Sequence, residues 1–383
     1  MSESRGEICS AEVTSGEVEG GDFLRVKQGA VTKLISRQLD AKKLYLEVTN
    51  KCNLDCITCI RNSWQGEQGY MDVSLFDNLV RQIKELPQLT TVHFGGFGEP
   101  LSHPDIIQFI GKLKEQGLRV EMISNGFLLS EEISRALVDL KLDRLVISLD
   151  GSDEASFNEI RLGGEFHQVV ENIKILNRVK QEAGRYKPDL GIEFVAMKRN
   201  YLKLPELLKL ADSIGAYFVI VTNLLPYSED MVDQVLYDAP DDQLMVGSGA
   251  GYLLFRGRVP EMKLRTQRRC SFVEDKAMAI TWAGNVSPCY AGMHHYHCYI
   301  YGRKKEMHPY HFGNVGSSSL KDIWLNDEYL KFRQQVLEFQ FPSCTDCKYL
   351  EGCSMTDDNL LDCWGNSPTC ADCLWSRGLI LCP

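Results

Sequence analysis

The placement of the cysteines divides this chain before any other feature does. Of fourteen, Cys52, Cys56 and Cys59 form one tight group, none follows until Cys270, and ten crowd into the last third. The long cysteine-free stretch must hold itself by an ordinary core, and 44 % hydrophobic against 25 % charged residues suffice for one. The last third needs disulfides, zinc or iron–sulfur clusters. The polar, acidic N-terminus has no apolar signal core, so the chain is expected in the reducing cytoplasm, where disulfides are disfavoured. No apolar run reaches the roughly 18 residues of a membrane span. A net charge of −10 argues against nucleic acid as a partner. Cys9, in a tail expected to be disordered, reads as incidental.

The first group separates zinc from iron. CNLDCITC, residues 52–59, offers three thiols at i, i+4 and i+7 with no fourth cysteine or histidine nearby. Structural zinc wants four ligands, whereas a cubane on three cysteines leaves one iron open to a cofactor. The group directly follows an apolar, β-prone run at 44–49, at the strand end where α/β folds place their chemistry. Spacing and position therefore favour iron–sulfur. The later pairs Cys344/Cys347 and Cys370/Cys373 suit either metal.

Residues 44–222 alternate strands with helices. Strand-like runs lie at 44–49, 90–95, 119–124, 144–149, 191–196 and 217–222. Phe76, Leu79, Val80 and Ile83 have helical spacing, as do Ile106, Ile107, Ile110 and Leu113. Ser130 and Ser152, each followed by acids, read as helix caps, and Pro205 sits in the first turn of a helix from Leu204. Six such units imply an α/β fold with a parallel sheet, either doubly wound or a partial barrel.

The strand ends carry polar groups. The second strand runs into GGFGEP (95–100), whose Gly95, Gly96 and Gly98 permit close backbone approach and whose Glu99 can accept from an amine. The third ends in Ser124, Asn125 and Gly126, and the fourth in Ser148, Leu149, Asp150 and Gly151, groups suited to ribose hydroxyls. Arg161 can meet a carboxylate. Singly these are ordinary turn formers; together, on one mouth beside an open-sited cluster, they mark a site.

These residues resemble the radical S-adenosylmethionine (SAM) superfamily. Its cluster signature is CxxxCxxC, here Cys52, Cys56 and Cys59, holding a [4Fe–4S] cluster that binds SAM. The resemblance implies a partial (β/α)6 barrel of the TIM type. It assigns GGFGEP to the methionyl amino group, Ser124, Asn125, Ser148 and Asp150 to the ribose surroundings, and Arg161 to the methionyl carboxylate. Thr58 stands where an aromatic residue is common, which alters only the adenine contact.

The last third is similar to the SPASM extension, which carries one or two auxiliary iron–sulfur clusters, expected to be [4Fe–4S]. Cys270, Gly284 and Cys289 fit its opening, followed by FGNV (312–315), LKDIW (320–324) and Phe332-Arg333. Cys344, Cys347 and Cys353 then match, but the family's next cysteine is Asp357. The resemblance implies an outer cluster on Cys344, Cys347, Cys353 and a late cysteine (Cys370, Cys373 or Cys382). The inner one would use Cys270, Cys289 and either Asp357 or Cys363, with Cys298 as a further option. The segments 223–231 and 362–378 are similar to those of maturases associated with tungsten-containing aldehyde:ferredoxin oxidoreductases.

The domains so implied are a polar, partly disordered extension (1–41), the barrel (42–235), a linker (236–269) and the cluster-bearing domain (270–383). The expected activity is reductive cleavage of SAM and hydrogen abstraction from a substrate, in maturation of a tungsten-pterin oxidoreductase or its cofactor. Ferredoxin or flavodoxin is the implied low-potential donor. The rivals are a maturase of a ribosomally made peptide and a non-catalytic, zinc-stapled binding protein. The His- and Tyr-rich loop 290–310 reads as a packed lid with a solvated basic tip at Arg303, Lys304 and Lys305, or as a phosphate contact. The basic run 263–269 reads as a solvated face or a dock for an acidic electron donor.

Overall fold

A computed structural model describes residues 12–18, 21–28, 31–64, 66–237, 257–260, 263 and 267–381. Cys9, Cys382, most of the 236–269 segment and part of the basic run lie outside these.

Six parallel strands form the centre: β4 (Lys43–Leu46), β5 (Thr91–Phe94), β6 (Arg119–Ser124), β7 (Arg144–Ser148), β8 (Asp189–Ala196) and β9 (Phe218–Asn223). Each pairs in parallel with the next in sequence. A doubly wound sheet reverses its strand order part-way. This one never does, so the partial barrel is the correct alternative. Leu145, Val146 and Ile147 are all fully buried, the continuous apolar pattern of a strand covered on both faces.

The covering helices follow from their spacing. Val73–Ile83 buries Phe76, Leu79, Val80 and Ile83, and its Asp72 cap accepts from Ser74 N at 2.7 Å. Phe76 stacks on Phe109 of Ile106–Glu115, with centroids 3.8 Å apart. Ser130 caps Glu131–Asp139 as expected. The next cap is Asp153 rather than Ser152, because Asp153 and Ser156 bond reciprocally in a capping box. Phe166–Glu182, at 17 residues the longest helix among those described, gets no cap from its own Glu165; Phe166 N donates instead to Asn158 Oδ1 at 3.2 Å, so no adjacent residue signals its start. Pro205 does lie in the first turn of Leu204–Ser213.

Two outer segments differ from expectation. Within 1–41, read as a polar, partly disordered extension, β1 (Glu12–Val18), β2 (Gly21–Gln28) and β3 (Val31–Ser36) form an antiparallel meander. Leu24, Val26 and Ile35 alternate inward onto Leu330, while Arg25, Lys27, Thr32, Leu34 and Ser36 are exposed. The central sheet also gains strands at both edges. β10 (Gly257–Arg258) adds to β9; β11 (Ala277–Ile280) pairs in parallel with β4 and continues into β12 (Asn285–Ser287). After the hairpin β13 (Tyr296–Ile300) and β14 (Arg303–Met307), β15 (Gly313–Asn314) closes the edge. The C-terminal third therefore shares the barrel's core through Val286, Val315, Trp324, Tyr329 and Phe341. Among the described residues no helix is long and apolar enough to cross a membrane.

Candidate active site

After β4 the chain turns into the CxxxCxxC loop, which is seated by its own backbone. Asp55 N donates to Leu162 O at 2.9 Å and Ile57 N to Ile160 O at 3.0 Å, pinning the loop to the segment beyond β7. Arg61 bonds Leu54 O, and Asn62 bonds Cys56 O and Ile57 O. Buried Leu54 and Ile60 anchor the two ends. The three thiols line one cavity, and burial raises the pKa of each, Cys56 up to about 11.

The glycine motif packs against the root of this loop. Gly95 N donates to Leu46 O, Phe97 N to Glu47 Oε2 and Glu99 N to Lys51 O. A Cβ on Gly98 would overlap the Thr49 and Lys51 carbonyls, which is why this strand end needs glycine. Glu99 accepts from Leu101 N (3.0 Å), Ser124 Oγ (2.8 Å) and Asn125 N (2.7 Å), so three of about four acceptor positions are taken and one remains for a ligand. Burial raises its pKa.

The other polar groups are likewise braced. Asn125 Nδ2 donates to Asn53 Oδ1 at 2.9 Å and points at Cys52 Sγ, 3.7 Å away. Ser148 Oγ donates to Glu193 Oε2 at 3.2 Å. Asp150, fully buried, pairs with Arg161 at 2.7 Å and accepts from Val195 N. Cys52, Cys56, Cys59, Gly96, Gly98, Glu99, Ser124, Asn125, Ser148 and Arg161 line one cavity of about 280 Å3. Gly95 and Asp150 lie behind that lining, Asp150 orienting Arg161 rather than facing the cavity itself.

The sequence reading missed several wall residues. Glu193 opens onto the cavity from β8, and burial together with the Asp150 charge raises its pKa to about 7. A carboxylate inside the apolar run GIEFVA was the available signal. Thr222 and Asn223 end β9 and hold the C-terminal tail: Leu381 N donates to Thr222 Oγ1 at 2.9 Å and Asn223 Nδ2 to Leu379 O at 3.0 Å. Trp375, Ile380 and Leu381 thereby become cavity walls. No local pattern marks such a return across more than 150 residues.

The basic tip is largely packed away, and the described part of the basic run is divided, with the Arg269 side chain 71 % exposed and Arg268 engaged. Arg303 donates to the Leu350 and Cys353 carbonyls, and Lys305, 3 % exposed, bonds Asp372 and Asp358 O, so only Lys304 of the three is exposed. Arg268, in the basic run, donates to the carbonyls of Phe341, Pro342 and Ala371. Loop carbonyls without a ladder need donors, and long guanidinium arms supply them. The histidines take separate partners, His294 pairing with Glu47 and His295 with Glu306, each at 2.7 Å, although His295 also stacks on His308 with centroids 5.0 Å apart. Among the described residues no three His, Cys, Asp or Glu converge tightly enough for a single metal ion.

Three soft thiols from one loop, with no fourth cysteine or histidine lining their cavity, suit a cluster that keeps one position open. The family model of the radical SAM superfamily matches residues 46–210, and that of an iron–sulfur cluster-binding domain matches 270–348. A tungsten-containing aldehyde ferredoxin oxidoreductase cofactor-modifying protein of Pyrococcus furiosus is 38 % identical over 346 residues, 89 % of this chain and 97 % of that one. The chain belongs to the radical SAM superfamily. It is a radical SAM enzyme with an iron–sulfur-binding C-terminal domain, within the same family as that protein. Solved structures share the fold: Streptococcus suis SuiB bound to its precursor peptide SuiA has a TM-score of 0.58 at 19 % identity, covering 84 % of this chain and 72 % of that one. The enzyme anSMEcpe with bound AdoMet has a TM-score of 0.59 at 16 % identity, covering 86 % and 90 %.

Proposed function

We propose that this radical SAM enzyme modifies a tungsten-pterin oxidoreductase or its cofactor, by abstracting hydrogen from a substrate held at the barrel mouth. The observation that carries the reading is the 38 % identity to a tungsten-oxidoreductase cofactor-modifying protein across 97 % of its length, barrel and cysteine-rich region together. Cys52, Cys56 and Cys59 would hold a [4Fe–4S] cluster, which when bound would supply the low-potential electron for reductive cleavage of SAM. The chain's own residues position that chemistry. Arg161, held by Asp150, meets the methionyl carboxylate; Glu99 offers its remaining acceptor to the amino group; Ser148 and Asn125 flank the ribose. Ile60, Leu224, Leu225 and Ile380 give the cavity an apolar wall that excludes water. A ferredoxin or flavodoxin delivers the electron, in the reducing cytoplasm.

Anaerobic iron, sulfide and zinc analysis, combined with a SAM-cleavage assay using dithionite, tests the enzyme. Iron with 5′-deoxyadenosine formation is expected, and Cys56→Ala abolishes cleavage while Cys347→Ala retains it. Two zincs per chain and no cleavage would sink the proposal. Tungsten specificity is checked by mass spectrometry of the oxidoreductase's cofactor after co-expression with the active protein or Cys56→Ala. A mass change on a co-expressed peptide, with the cofactor unaltered, would transfer the assignment to peptide maturation.

A further inference from the structure

The auxiliary cysteines fall into two sets that depart from the crossed order the SPASM resemblance implies. Cys270 caps the short helix Ser271–Glu274, Cys289 follows β12, and Cys370 and Cys373 lie on the late CADC turn. All four line a single enclosed apolar cavity with Phe272, Pro288 and Trp375. Cys270 interacts electrostatically with Cys289 and Cys373, and Cys370 with Cys373, Cys289 and Cys270. The outer set is built differently. One-turn helices at Cys344–Asp346, Leu350–Gly352 and Ser354–Thr356 link Cys344, Cys347 and Cys353 through consecutive turns, Cys347 N donating to Cys344 O, Leu350 N to Cys347 O and Cys353 N to Leu350 O. Asp362 then closes the next loop, accepting from Trp364 N, Asn366 N and Thr369 Oγ1, and this brings in Cys363. Cys344 interacts with Cys363 and Cys353, and Cys363 with Cys353 and Cys347.

The two remaining candidates are otherwise engaged. Cys298, 2 % exposed, sits on β13 in an apolar cluster with Tyr296 and Leu374; it borders a second cavity with Cys289, Cys370 and Cys373 but is absent from the one that all four inner cysteines share, and the charges nearest it are Asp372, Lys305 and Glu306. The Asp357 side chain is 64 % exposed and faces Arg303. The buried Lys305–Asp372 pair stands beside both sets, with Asp372 falling between Cys370 and Cys373 in sequence.

We infer that two auxiliary clusters are held uncrossed: Cys270, Cys289, Cys370 and Cys373 bind the inner one, and Cys344, Cys347, Cys353 and Cys363 the outer one, with neither Cys298 nor Asp357 as a ligand. This rests on the iron–sulfur reading of the C-terminal region. Together with the barrel's three it uses eleven of the fourteen cysteines and leaves Cys9, Cys298 and Cys382 over.

Iron and sulfide counts with Mössbauer spectra on anaerobically reconstituted full-length variants test the partition. Cys289→Ala and Cys373→Ala each remove about four iron, and the double variant removes no more. Cys353→Ala and Cys363→Ala behave as a second such pair, while Cys289→Ala with Cys363→Ala removes about eight. Cys298→Ala and Asp357→Ala keep full iron. Loss of only one cluster in Cys289→Ala/Cys363→Ala, or lost iron in Cys298→Ala or Asp357→Ala, overturns the assignment. Stepwise chelation of the wild type, with alkylation read by mass spectrometry, needs no variant. Cys344, Cys347, Cys353 and Cys363 should become labelled together, ahead of the inner four; Cys363 labelling with Cys270 and Cys289 would overturn it. A wild type holding zinc in these sets refutes the iron–sulfur reading alone, since the same groupings are then scored by zinc release.

Discussion

The barrel and the terminal loops solve the same problem by opposite means. Along the barrel strands Leu145, Val146, Ile147, Ile192 and Phe194 are fully buried, and consecutive strands satisfy each other's backbone. From residue 343 to 381 there is no strand and no helix longer than one turn of 3-10 form among the described residues. Arg303 and Arg268 bond carbonyls there in place of a ladder, those of Leu350, Cys353 and Ala371, while Arg377 of the segment itself reaches out to Lys263 O and across to Thr345 Oγ1. A segment with so few buried apolar side chains cannot offset its ordering entropy alone; metal ligation must supply the difference.

The largest effect that contrast predicts comes from metal removal. Anaerobic chelation should leave the six-stranded sheet protected from hydrogen exchange while 343–381 becomes susceptible to proteolysis. Simultaneous loss of both regions would refute the independence of the barrel. Leu145→Ala should do the reverse, costing about 2–5 kcal/mol of global stability by leaving a cavity in the sheet. Urea denaturation checks it; a cost under about 1 kcal/mol would mean the sheet core collapses freely around the gap.

Glu193 probes the seam between core and site. Its folded-state pKa of about 7 lies above the ordinary 4.5, so its contribution is fully present below pH 4.5 and lost as pH rises through about 7. Glu193→Gln should therefore stabilise the protein above neutral pH and leave it unchanged near pH 4.5. The full shift corresponds to about 3 kcal/mol, and because the carboxyl meets cavity water a gain of about 2 kcal/mol is expected. Urea midpoints at pH 5 and pH 8 decide it, and equal gains at both would exclude the titration.

Legibility in the sequence follows the same division. Strand positions, the buried face of Val73–Ile83 and the CxxxCxxC loop were all readable, because each is dictated by neighbours a few residues away. Ser124, Asn125 and Ser148 could be placed at the mouth, since strand order alone takes them there. That Asp150 is spent on Arg161 could not be read, because the partner depends on where the 150–162 loop folds back. Trp375 and Leu381 were invisible for a stronger reason: they are brought to the cavity by long-range pairing, with no period to betray it. In β2 and β3 the inward Leu24, Val26 and Ile35 are too few, and too interleaved with exposed Arg25, Lys27, Thr32 and Ser36, to stand out from a polar tail.

The smallest predicted effect lies at the rim of the outer cysteines. Tyr349, Met355, Leu360, Leu361 and Trp364 are between 42 % and 70 % exposed, around the exposed Cys347 and Cys363. A half-exposed leucine has little burial to lose, so Leu361→Ala should change stability by less than about 0.5 kcal/mol, against the several lost at Leu145. Its Tm, measured with clusters loaded, makes the comparison. If Leu361→Ala instead destabilises the loaded protein by more than about 1 kcal/mol, this rim is a packed shell around the outer cysteines, and apolar cover shares with the metal the work of ordering these loops.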